Sequence, residues 1–146
     1  MNILFVTSEC APFSKSGGLA DVAFSLPPAL QQAGDSVEII VPYYKMTHDN
    51  YGDQIQYVKS CECRLGEQLI RYNLRRGELS GVTVWFIEHE NFFHRPKLYG
   101  YGDDSLRFAF FSRAVVDLIG QLTFVPDILH CNDWETALSI IYLKND

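Results

Sequence analysis

Lys15, Gly17, Gly18 and Asp21 stand in the segment Ser14-Lys15-Ser16-Gly17-Gly18-Leu19-Ala20-Asp21, between an apolar strand pattern and an apolar helix pattern. Residues of these types at such a junction bind anions. The first N–H groups of a helix have no partner within it and carry the positive end of its dipole. A phosphate placed there is stabilised. Glycines can adopt positive φ and let backbone amides face a ligand directly, and Lys15 adds a mobile full charge. The chemistry predicted for this loop is retention of a diphosphate. The same residues also fit a plain tight turn beside a solvated lysine.

The residue order is neither that of a P-loop nor G-x-G-x-x-G. The second strand pattern, Val37 to Val41, ends at Pro42-Tyr43-Tyr44, where a nicotinamide site would want an acid for the ribose hydroxyls. A dinucleotide cofactor is therefore not expected. Further candidates lie downstream. Asp103 and Asp104 precede an apolar helical pattern, and His130, Asn132 and Asp133 follow a short strand, Ile128 to His130. In open α/β folds ligands sit beyond such carboxyl strand ends. Each set also has a structural reading. Acids complement a helix N-terminus, and Asp133 can cap a helix marked by Trp134, Ala137, Leu138, Ile140 and Ile141.

Tyr99, Tyr101, Phe92 and Phe93 place rings beside Asn91, His94 and Arg95, a combination that binds sugars and that also occurs in ordinary loop packing. No metal is expected. His48, His89 and His94 lack partners at ligand spacing, and Cys61-Glu62-Cys63 puts two thiols on one strand face, too few for a structural zinc site. Cys10, Cys61, Cys63 and Cys131 read as reduced thiols.

The candidates fall in three blocks that resemble bacterial glycogen synthases and plant starch synthases. The first is Lys15-Ser16-Gly17-Gly18-Leu19-Ala20-Asp21 after Thr7-Ser8-Glu9. The second is Leu98-Tyr99-Gly100-Tyr101-Gly102-Asp103-Asp104 running into Arg107-Phe108-Ala109-Phe110-Phe111-Ser112-Arg113. The third is Pro126-Asp127-Ile128-Leu129-His130-Cys131-Asn132-Asp133-Trp134. The resemblance covers the whole chain. It implies the N-terminal half of a GT-B glycosyltransferase, in which two nucleotide-binding-type domains face each other across a cleft.

The activity implied is transfer of glucose from ADP-glucose to the nonreducing end of an α-1,4-glucan, with retention at the anomeric carbon and without metal or cofactor. Lys15, Gly17, Gly18 and Asp21 from the first block, Arg95 beside the rings, and His130 and Glu135 from the third block are the substrate-binding candidates. Asp103, Asn132 and Asp133 are the catalytic candidates. Negative charge grows on the departing diphosphate, so fixed cations and amides aimed at it stabilise the transition state selectively.

Glu135 departs from the pattern, because many members of that family carry His or Gln there. An ionised carboxylate accepts hydrogen bonds but donates none. With the second domain outside this chain, the chain alone is expected to be inactive. A noncatalytic glucan-binding remnant and a GT-B transferase for another nucleotide sugar are the alternatives. A simple nucleotide-binding regulator would leave the blocks around Asp103 and Asp133 without a reason.

The elements that must position these residues follow from periodicity. Ile3 to Val6 is continuously apolar, as a strand covered on both faces should be. Leu19, Val22, Ala23, Leu26 and Leu30 mark a helix from about Leu19, expected to kink or break at Pro27-Pro28 and to stop at Gly34. Lys45 to Gly52 reads as a polar loop, and Ile55 to Ile87 as antiparallel strands ending in buried Val82 to Ile87. A helix from about Ser105 to Gly120 follows.

The predicted fold class is α/β, an incomplete doubly wound Rossmann-like domain with a β-rich insert. A chain of 146 residues with 47% hydrophobic content holds one core. A net charge of −6 without a basic block excludes nucleic acid as the expected partner. No leader pattern precedes the first strand and no apolar run approaches membrane-spanning length. The expected location is the cytoplasm.

Overall fold

The computed structural model describes residues Met1–Asp146. In chain order its elements are β1 (Asn2–Val6), α1 (Gly18–Gln32), β2 (Ser36–Pro42), α2 (Lys45–Tyr51), β3 (Gln56–Leu65), β4 (Gln68–Leu79) and β5 (Val82–Glu88), followed by α3 (Glu90–Phe93), α4 (Asp104–Ile119), β6 (Ile128–Cys131) and α5 (Leu138–Asn145). One sheet holds all six strands in the order β3-β4-β5-β2-β1-β6. The apolar strands β5, β2, β1 and β6 run parallel, with Phe5 of β1 opposite Ile39 of β2 and His130 of β6. The insert is the antiparallel hairpin β3–β4, joined to β5 along β4.

Alternation along the strands builds two cores, one on each face. Leu4 and Val6 join Ile40, Tyr44 and the α4 residues Phe108, Phe110, Phe111, Val115 and Leu118 on one side. Ile3 and Phe5 join Ile39, Val41, Val84 and Phe86 on the other, where Ala23, Leu26 and Leu30 of α1 pack. Helices therefore cover both faces, as a doubly wound sheet requires. On the insert, Cys61 and Cys63 share the α4 side of β3, and the ring of Tyr72 meets that of Phe110 at 5.7 Å.

The expected break at Pro27-Pro28 does not occur, and a second local expectation is overturned. Pro27 and Pro28 lie inside α1, which runs on to Gln32 without a break. Pro27 leaves the carbonyl of Ala23 without its usual N–H donor. The buried Cys10 thiol donates to that carbonyl at 3.8 Å, while Pro27 itself packs into the interior. The segment expected to be a polar loop is α2. Its polar side chains hide an inward face, on which Thr47 is fully buried and donates to the Phe13 carbonyl at 3.1 Å. Lys45 and Asp49 pair one turn apart on the outside. No helix is long and apolar enough to cross a membrane.

Phe110 links these parts, since its ring touches those of Tyr72, His89, Phe92 and Phe93. Phe110→Ala leaves a void between α4 and the insert. The expected cost is about 3–5 kcal/mol in denaturant unfolding, with the denaturant slope unchanged.

Candidate functional site at the carboxyl edge of the sheet

Because β1, β2, β5 and β6 are parallel, all four end on one rim. The ends of β1 and β6 are tied there by Asn132. Its backbone N–H and its side-chain amide both donate to the Val6 carbonyl, at 3.1 and 2.9 Å, and the amide also reaches the His130 carbonyl at 3.2 Å. His130 lays its ring against Phe5, with centroids 4.8 Å apart. Asp133 takes φ 64°, and its Oδ1 accepts from the Trp134 N–H at 2.7 Å. It thus caps a single 3-10 turn, Trp134–Thr136, while α5 starts only at Leu138. The capping read from sequence is real but serves a different turn.

At the glycine corner the structure supplies an anion of its own. Glu9, 2% exposed, directs its carboxylate at the start of α1. Oε1 accepts from the N–H groups of Gly17 (3.1 Å) and Ala20 (3.2 Å). Oε2 accepts from the Ser16 N–H (3.3 Å), the Ser16 hydroxyl (2.7 Å) and the Tyr99 hydroxyl (3.0 Å). The positive end of the helix dipole is already occupied in part by a carboxylate. The amide of Gly17 is therefore committed inward, and the amides left without an acceptor at this corner are those of Gly18 and Leu19.

Neither Gly17 nor Gly18 has positive φ, contrary to the conformational role expected of them. Their value is space. A Cβ on Gly18 would meet nothing within 4 Å, so the space beside its Cα is open. Lys15 Nζ bonds both carboxylate oxygens of Asp21 at 2.8 Å, and both side chains are more than half exposed. An exposed pair of this kind holds little energy. Lys15 can leave Asp21 for an incoming anion at small cost.

Asp103 occupies the N-cap position of α4, yet its side chain makes no cap bond. Instead it forms a two-pronged pair with Arg95, both contacts at 2.7 Å, which holds its carboxyl below the usual carboxylate range. The Arg95 guanidinium also sits 4.8 Å from the Tyr101 ring centroid. Asp104 does the local work, accepting from Gly100 N–H and from the fully buried Arg107, both at 2.8 Å. The sequence could not separate the neighbouring acids into these two roles. Nor did it single out Glu9, although a carboxylate between a strand end and a glycine turn was the available signal.

Glu135 is 5% exposed, and its Oε2 has no hydrogen-bond partner. Burial, with the charges of Asp133 and Glu9 nearby, pushes its carboxyl up to about 7. The Ser8 hydroxyl lies 2.7 Å from that of Tyr99, and Tyr44 donates to the Ser8 carbonyl at 2.6 Å.

Glu9→Ala strips an acceptor from two helix amides, from Ser16 and from Tyr99. The expected loss is about 1.5–3 kcal/mol in denaturant unfolding, the range for bonds to a charged group. Glu9→Gln, which keeps one acceptor oxygen, should lose less. A loss within about 0.5 kcal/mol for the alanine variant, as at an ordinary surface position, would show that the carboxylate does not hold the corner.

The family model of the starch synthase catalytic domain matches residues 2–146. The chain is 44% identical over 144 residues to a glycogen synthase of Streptococcus sanguinis (strain SK36), and 42% identical over the same length to one of Streptococcus pneumoniae (strain Hungary19A-6). Each alignment covers 99% of this chain and 30% of the relative, so the chain spans less than a third of the length of these proteins. Among solved structures it is similar to the catalytic domain of Starch Synthase IV from Arabidopsis thaliana bound to ADP and acarbose. The TM-score is 0.82 at 37% identity, with 97% of this chain and 29% of that one covered. On the match across nearly its full length, this chain belongs to the starch synthase catalytic domain family.

Proposed function

We propose that this chain supplies the acceptor-side half of a retaining glucosyltransferase that moves glucose from ADP-glucose to the nonreducing end of an α-1,4-glucan. The observation that carries this reading is the corner on the sheet's carboxyl rim where the Gly18 and Leu19 amides have no acceptor, the space beside Gly18 is open and Lys15 is only loosely paired. A donor diphosphate fits there. Its departing charge would meet Lys15 and the helix terminus. The relative solved with ADP and acarbose supports a nucleotide-linked donor and a glucan-like acceptor.

Asp103, Asn132 and Asp133 shape the rim in this reading, since their side chains hold Arg95, the Val6 carbonyl and the Trp134 amide. Asp21 holds Lys15 until the donor arrives, and His130 forms the floor against Phe5. The opposing wall of the cleft belongs to the part of the relatives' length that lies outside these residues. Work in the cytoplasm is part of the same proposal, supported by four free cysteines of which Cys10, Cys61 and Cys63 are buried.

The test joins this chain to the remaining length of the Streptococcus sanguinis relative and measures elongation of a maltooligosaccharide. The chimera should elongate with ADP-glucose, the unjoined chain should not, and Lys15→Ala should lower kcat/KM by about 10²-fold. Turnover with UDP- or GDP-glucose instead would change the donor assignment. Glucan binding without turnover in any form would reduce the chain to a binding module.

A further inference from the structure

Residues 94–103 join α3 to α4 without helix or strand, so no ladder pairs their peptide groups. The same stretch carries Tyr99, whose hydroxyl meets Glu9 at 3.0 Å although the two are far apart in sequence. One buried side chain holds the stretch in place. Arg107, fully buried near the start of α4, directs its NH1 to the Leu98 carbonyl (3.0 Å) and to Asp104 Oδ1 (2.8 Å). The other oxygen of Asp104 accepts from the Gly100 N–H at 2.8 Å. The Leu98 carbonyl and the Gly100 N–H belong to the two peptide groups that flank Tyr99. Both are therefore tied to one nitrogen, directly on one side and through a carboxylate on the other. Nε takes the Phe92 carbonyl at 2.6 Å, and the Phe108 ring, 5.2 Å from the guanidinium, lies 5.8 Å from that of Tyr99. NH2 bonds nothing, so the hydrogen-bonded hold on the stretch runs through Nε and NH1 alone.

We propose that Arg107 is a positioning residue for the glycine corner, whose NH1 brackets Tyr99 through the peptide groups on either side. The bracket fixes the phenol on Glu9, and Glu9 in turn holds the amides of Gly17 and Ala20. Arg107 itself bonds only Phe92, Leu98 and Asp104, so it reaches the corner by way of Tyr99. The residue type follows from the geometry. A planar guanidinium aims several N–H groups in fixed directions, whereas an ammonium is a single point on a flexible stem. A lysine here keeps the charge and loses the bracket. This role rests on the reading of the corner as the donor site, where the open Gly18 and Leu19 amides stand next to the ones that Glu9 holds.

Native-state amide exchange of the chain reads this coupling. The probes are the Gly17 and Ala20 amides, and the reference is the set of amides in the central strand β2, which report opening of the whole sheet. Arg107→Lys should accelerate the two probes by about tenfold, the scale of one hydrogen bond to a charged group, beyond any change in β2. Tyr99→Phe, which removes only the hydroxyl, should do the same. Once that hydroxyl is gone, adding Arg107→Lys should leave the probes where Tyr99→Phe put them, relative to β2. Acceleration shared equally by the probes and β2 would make Arg107 a residue of general stability. Additive effects in the double variant would route its action around Tyr99. Either result overturns the proposal.

Asp104→Asn supplies a second variant that does not depend on Arg107→Lys folding. An amide has one oxygen, so it can serve the Gly100 N–H or Arg107 and not both. With one arm of the bracket open, Gly17 and Ala20 should again exchange faster relative to β2, although Asp104 touches neither Tyr99 nor Glu9. Unchanged exchange at both probes would exclude the bracket. None of these measurements requires ADP-glucose. Their failure leaves the donor assignment standing, and a chimera inactive with ADP-glucose leaves the bracket standing.

Discussion

A single carboxylate, that of Glu9, joins the strand end, the glycine corner and the loop before α4. It lies where the β1 chain leaves the sheet, and it satisfies amides that α1 cannot satisfy within itself. Tyr99 reaches it from a distant stretch of sequence. A helix terminus facing a sheet rim normally leaves donors to solvent or ligand. Here part of that capacity is used inside the protein, which fixes the geometry of what remains. The open amides of Gly18 and Leu19 are adjacent to committed ones, so they are held in place before any anion arrives. Preorganisation of this kind is what makes fixed dipoles effective against developing charge.

The rim is organised by a graded commitment of charge. Arg107 is buried and shared among one carboxylate and two carbonyls. Arg95 is bound in two prongs to Asp103, which favours the ionised form of that acid. Lys15 is held only by an exposed partner. Of the three cations, Lys15 is the one that can change partners cheaply, since a solvated pair is worth little and a planar two-pronged pair more. The residue type matters as well. A flexible ammonium on a long stem can follow a departing group, whereas a guanidinium locked between a carboxylate and the Tyr101 ring cannot.

Much of the fold was legible because burial writes a period into the chain. The continuous strands β1, β2 and β5 and the helices α1 and α4 lie close to where their apolar spacing put them. The misreadings came from places where tertiary contacts decide. Local rules break α1 at Pro27, but a thiol from another loop takes over the freed carbonyl. Local polarity makes a loop of α2, but one buried threonine anchors it. At the site, the sequence located the rim residues without their pairings. That Asp103 holds Arg95, that Asp104 holds Arg107 and that Gly17 faces Glu9 are relations between segments, and no spacing within one segment encodes them. The tripeptide Thr7-Ser8-Glu9 stood in the sequence as a mark of resemblance only, although two of its side chains turn out to organise the corner.

Glu135 is the residue at which the resemblance and an ionised carboxylate pull apart, and burial brings them together. The resemblance led to the expectation of an imidazole or an amide at this place, groups able to donate a hydrogen bond at neutral pH. An ionised carboxylate would reverse that polarity and would place a third negative charge beside Glu9 and Asp133 without a cation in reach. A buried carboxyl in those surroundings lowers its energy by keeping its proton. As the neutral acid it presents one donor and one acceptor, the same complement as an amide facing the same way. The difference is reversibility: an amide donates at every pH, and a carboxylic acid donates only until its proton is withdrawn. A buried carboxyl raised to about 7 at this place therefore donates as an amide would in acid solution and stops donating as pH rises through that value.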